Sequence, residues 1–133
     1  MPALSIWVAR SALLQLLLGF SLGALALWNK GFALVAWPWR LVPAHVELLL
    51  LGWMAQLAVA VGYWILPRRA GQRPRAWLAV VAALLLNAGV GAVVLGASFG
   101  WPGAVALGRA LELGAVVAFA AHAWPRVRAA GGT

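Results

Sequence analysis

The 133 residues are 65% hydrophobic and 9% charged, against about 25% charged in a soluble domain, and the apolar runs of about 20 residues mark an integral membrane protein. The net charge of +8 lies in loops and tails between those runs, so it reads as topology signal and lipid-headgroup contact, not as a nucleic-acid surface. With no cysteine, no aspartate and only Glu47 and Glu112 as acids, the chain excludes disulfides, thiolate metal sites, a thiol nucleophile and a multi-carboxylate metal cage of its own.

Four spans are predicted, at about residues 4–28, 43–66, 76–99 and 103–124, within one transmembrane domain covering 1–133. The first carries Arg10 and Gln15 in its inner half and a Gly19/Gly23 pair that lets another helix approach closely. Its basic start, apolar run and Ala24-Leu25-Ala26 loosely match a cleavable signal peptide, but the run is long for one and contains Arg10. The second span opens at Pro43, where a missing N–H does no harm. It places His45 and Glu47 at its outer end, Gln56 near mid-membrane and Tyr63 in its inner half. At 3.6 residues per turn, Gly52, Gln56 and Tyr63 fall within roughly 20° of the direction of His45, so this face looks into the bundle or toward a partner chain. Glu47 then points nearly the opposite way, toward headgroups, the loop or a neighbouring subunit. His45 and Glu47 can share a metal only if the helix is unwound there or starts after His45.

The third span brings Asn87 to the depth of Gln56. Interhelical hydrogen bonding by these two amides is expected, worth about 0.6 kcal/mol, with a water or proton path as the alternative. Ala88, Ala92 and Gly96 form a small-residue stripe for packing. In the fourth span Arg109 and Glu112 are three apart and can pair along the helix. They are either a self-neutralised pair that lets the helix insert, or a pair of which one member reaches His45 or a bound ligand. Gly108 and Gly114 add notches, and His122 reads as an imidazole at the inner interface.

Short Gly-, Pro- and Arg-rich connections make neighbouring helices antiparallel, so the fold expected is an all-α, four-transmembrane-helix up-down bundle. Arg68, Arg69, Arg73 and Arg75 follow span two, and Arg126 and Arg128 follow span four, against Lys30 and Arg40 on the other side. That asymmetry puts both the N and C termini in the cytoplasm, in a multi-pass protein of the inner (cytoplasmic) membrane. The tryptophans agree: Trp28, Trp37, Trp39 and Trp101 fall at the outer interface and Trp7, Trp64, Trp77 and Trp124 at the inner one, with Trp53 packed between.

Span two also resembles a family pattern. His45, the run Leu48 to Leu51, Gly52-Trp53 and the close Tyr63-Trp64-Ile65-Leu66-Pro67-Arg68 look like the second helix of the catalytic subunit of haem-copper oxidases and nitric oxide reductases, the cbb3 type above all. They look closer still to small four-helix membrane proteins related to that region. Asn87-Ala88-Gly89 and Trp124-Pro125-Arg126 are also similar. The resemblance implies that His45 binds haem b or a metal, zinc or copper being the alternative. It also departs from the pattern: Glu47 stands where the small proteins often carry a second histidine, and the oxidase's remaining haem and copper ligands belong to helices this chain lacks. Oxygen or nitric oxide reduction by this chain alone does not follow.

His45 and His122 lie at opposite membrane faces, about 25 Å apart by helix rise, so they cannot share one haem within a chain. A second histidine would come from another copy, two in a parallel dimer or three in a trimer fit for zinc or copper. The functions weighed are a haem- or metal-binding homo-oligomer in electron transfer, sensing or respiratory-complex assembly; a cofactor-free accessory subunit; and a small channel or transporter. No nucleophile with a partnered base and no phosphate loop speaks for an enzyme.

Overall fold

In the computed structural model, the residues described are 1–33, 36, 38–67, 73 and 75–127, and every element among them is helical. Trp37, Arg68, Arg69 and Arg128, which entered the interface, motif and orientation arguments above, lie outside them. Helix α1 runs Ala3–Trp28. A short 3-10 turn at Pro38–Arg40 leads into α2, Leu41–Ile65. Helix α3 is Ala76–Phe99 and α4 is Pro102–Ala123, extended by a 3-10 turn at Trp124–Arg126. All four are long and apolar enough to cross a membrane.

The predicted spans match these helices to within two residues at each end. Helix α2 starts at Leu41, so Pro43 sits inside the first turn, where its missing N–H has no helical acceptor to lose. Pro102 opens α4 at its first position for the same reason. Between α3 and α4, Gly100 takes the left-handed conformation (φ 72°) that a side chain would resist, and the N–H of Trp101 then closes on the Gly96 carbonyl at 2.8 Å.

One departure from regular geometry decides the site. Residues Leu48–Ala55 of α2 form a π-helix, in which bonding from i to i+5 widens each turn by one residue. A regular helix would set positions 47 and 56 on opposite sides. The widened segment turns them toward one side, and Glu47, Gly52 and Gln56 are all buried together with Tyr63. The expectation that Glu47 faces outward is therefore corrected: it assumed 3.6 residues per turn through a segment that does not keep that period.

The outward faces are lined by Leu13, Leu14, Leu17, Leu18, Phe20, Leu113, Val116 and Val117, all exposed, as suits a lipid solvent. Inward, small residues dominate: Ala12, Ala44, Ala60, Ala79, Ala82, Ala83 and Ala115 are buried. Without a hydrophobic drive between helices in lipid, close backbone approach supplies the packing. Helices α3 and α4 meet most closely where a methyl group on Gly108 would lie 2.7 Å from the Gly89 carbonyl and 2.5 Å from Val93. Val105 faces Gly96 and Leu85 faces Gly114, so residue numbers run in opposite directions along this seam. The predicted Ala88/Ala92/Gly96 stripe is corrected in phase, since Ala88 is exposed and Gly89 takes its place against α4. Helices α1 and α2 pair similarly, Gly23 with His45, Gly19 with Leu49 and Gln15 with Gly52. Helices α2 and α4 touch more sparingly, at Glu47 with Arg109 and at Gly62 with Phe119.

Candidate functional site

Polar side chains inside this apolar bundle fall into four groups. The first is His45, half-buried on the first turns of α2. Its Nδ1 lies 2.7 Å from the carbonyl oxygen of Gly19. A carbonyl can only accept, so Nδ1 carries the proton and the lone pair is on Nε2. No partner for Nε2 is found among the described residues. Gly23 makes room for the ring, because a methyl there would stand 2.6 Å from Cε1. His45 also lines a cavity of about 400 Å³ with Asn29, Lys30, Trp39 and Val42.

The second group is an ion-paired triad. Nη2 of Arg109 lies 2.7 Å from Oε2 of Glu47, and Nη1 lies 2.8 Å from Oε2 of Glu112. The intrahelical Arg109–Glu112 pair was legible from its spacing. Glu47, expected among headgroups or at a subunit contact, completes it from the neighbouring helix. Both carboxylates are buried, at 3% and 6% exposure, whereas the arginine side chain is 53% exposed. Charges at such depth persist by pairing. Oε1 of each glutamate is buried and has no hydrogen-bond partner among the described residues. Glu47 is thus turned to α4 while His45 is turned to α1, and the structure does not bring them into one site.

The third group lies deeper. Asn87 accepts from Ser11 Oγ at 2.6 Å and from Gln15 Nε2 at 2.9 Å, and donates to the Ala83 carbonyl at 2.9 Å. The expected Gln56–Asn87 bond is not formed. Helix α1 supplies the donors to Asn87, and both amide atoms of fully buried Gln56 are without a partner among the described residues. Sequence reading missed Ser11 altogether. A lone serine in an apolar run gives no signal of its direction until the partner helix is known.

The fourth group closes the opposite end. His122, expected as an imidazole at the inner interface, is fully buried at its end of the bundle. Pro125 sets the 3-10 turn that carries Arg126 back over it. Arg126 Nη1 lies 2.6 Å from His122 Nε2, which accepts, while His122 Nδ1 donates to the Arg75 carbonyl at 3.1 Å. Arg126 further donates from Nε to the Pro67 carbonyl at 3.0 Å and from Nη2 to the Leu66 carbonyl at 2.5 Å. It thereby caps carbonyls at the end of α2 that no helical N–H can reach. Tyr63 stacks on His122 at 5.4 Å between ring centroids, and Arg73 lies 4.9 Å over the tyrosine ring. His122 is held at both nitrogens by this cap.

No protein-family model, curated protein or solved structure matches the chain. The chemistry of these four groups is therefore what bears on function.

Proposed function

We propose that this is a multi-pass protein of the inner (cytoplasmic) membrane, an up-down bundle with both termini cytoplasmic, that binds haem b through Nε2 of His45. Zinc or copper on the same nitrogen is the alternative cargo, and electron transfer, ligand sensing or respiratory-complex assembly is the role. The observation that carries this reading is the Nδ1–Gly19 carbonyl contact of 2.7 Å. Metal-bound histidines commonly donate their other ring N–H in this way, which fixes the tautomer and ring orientation. The resemblance of span two to the haem-binding helix of the oxidases points to the same residue.

The residues fit the group in part. His45 supplies one ligand, and its cavity, about 400 Å³ in volume, admits a metal ion or the edge of a porphyrin. His122 offers no second ligand, being held by Arg126 and the Arg75 carbonyl. The second imidazole comes in this proposal from His45 of another copy, at the same depth in a parallel dimer. When bound, the haem would supply a one-electron couple, and this chain's part is to orient the imidazole through the Gly19 carbonyl. Loading detergent-purified protein with haem tests this: saturation at about one haem per two chains, with bis-histidine bands absent in His45→Ala, supports it. Saturation unchanged in His45→Ala would contradict it.

A small channel or transporter is the second reading. It is favoured by the buried amide of Gln56 and the two carboxylate oxygens, which have no partner among the described residues.

A further inference from the structure

Beside the triad, a cleft of about 370 Å³ opens between α2 and α4. Arg109 and Glu112 stand at one end of it and Phe119 toward the other, and Leu51, Val59 and Leu86 are among its otherwise apolar walls. The triad counts two carboxylates against one guanidinium. Helix α3 contributes no titratable side chain to balance it, α1 contributes only exposed Arg10, and His45 on α2 is turned to Gly19. With both carboxylates ionised, one negative charge is left in a low-dielectric setting, together with two buried acceptor oxygens, Oε1 of Glu47 and Oε1 of Glu112, that have no donor among the described residues. Glu112 lines the cleft.

These features define what complements the cleft. A single positive charge would cancel the excess, an N–H donor would bond the Glu112 carboxylate at the end of the cleft, and an apolar body of about ten carbons would suit the walls and reach them through the bilayer. A quaternary ammonium brings charge but no donor, and an alcohol brings a donor but no charge. We propose that this cleft is a binding site for a lipophilic primary or secondary ammonium, held by Glu112, the carboxylate that lines it. The proposal does not depend on His45 and would survive a failure of the cofactor reading.

The test is calorimetric titration of the full chain in maltoside with 1-adamantylammonium, its trimethylated form and neutral 1-adamantanol. The expected result is saturable binding of the primary ammonium, weaker by about tenfold or more for the other two and for Glu112→Gln, the loss expected when a charge-assisted hydrogen bond goes. Ala55→Leu, which narrows the cleft without touching the triad, should also abolish binding, and it serves if Glu112→Gln does not fold. Equal affinity for alcohol and ammonium, or binding that survives in a folded Glu112→Gln or Ala55→Leu variant, overturns the proposal. So does the absence of saturable binding, the result expected if the two carboxylates share a proton instead.

Discussion

A methyl group on Gly23 would stand 2.6 Å from His45 Cε1 and 2.8 Å from Nδ1, closer than unbonded carbon and nitrogen tolerate. Gly23→Ala therefore forces the imidazole away from Gly19. The expected result is a stability loss of about 1–3 kcal/mol by thermal unfolding in detergent, with loss of haem or metal uptake at His45. Arg109→Ala has a different basis. It leaves two buried carboxylates unpaired, and a cost near 3 kcal/mol is expected, the low end for a buried pair because the arginine is itself half-exposed. Adding Glu47→Gln and Glu112→Gln should recover most of that loss in the same unfolding measurement. No recovery would show that Arg109 stabilises by packing. At this scale the sequence was partly readable. The three-residue spacing of Arg109 and Glu112 announced their pair, but Glu47's membership depended on a local change of helical period that its flanking leucines do not reveal. Nor could His122's burial be read, since it follows from the return of Arg126 across a proline turn.

At the scale of elements, the π segment Leu48–Ala55 is the part that positions polar groups. Helices keep such a turn only where something offsets its poorer bonding, and it is often found at functional sites. Here it lets α2 bury Glu47 against α4 and Gly52 against Gln15 of α1. Deleting Leu50, an exposed residue of this segment, removes the extra residue and restores the regular period. The coupling energy between Glu47 and Arg109, read from a double-mutant cycle, should then fall from at least about 1 kcal/mol to near zero. A coupling unchanged by the deletion would mean that the pair sets the helix and not the reverse. Helix limits themselves were legible because Pro43 and the Gly-, Pro- and Arg-rich connections mark them chemically. The exact packing stripe of α3 was not, because alanine and glycine alternate around it and only the approach of Gly108 selects Gly89.

For the whole molecule, four apolar spans follow from composition and length, and four such helices are present among the described residues. Their direction across the membrane is a separate claim, resting on where arginine and lysine fall. The chain has no cysteine, so single introduced thiols report it cleanly. Gly103→Cys, where an added side chain meets nothing within 4 Å, should react with an impermeant maleimide from outside intact cells. Gly131→Cys should react only after the membrane is opened, and the opposite pattern would reverse the assignment. Seven of the eight described tryptophans are exposed and Trp53 is half-buried, the arrangement an aromatic belt around an apolar bundle requires.

The central claim is that His45 Nε2 is a ligand, and the absorption spectrum of the purified protein tests it most directly. Spectra would be recorded oxidised and dithionite-reduced, with metal analysis on the same sample. The account predicts reduced haem b bands, or zinc or copper near a fixed fraction of the chain, and their disappearance in His45→Ala. A colourless, metal-free protein that stays colourless when haem is added would contradict it, and would leave a cofactor-free subunit or transporter as the better reading.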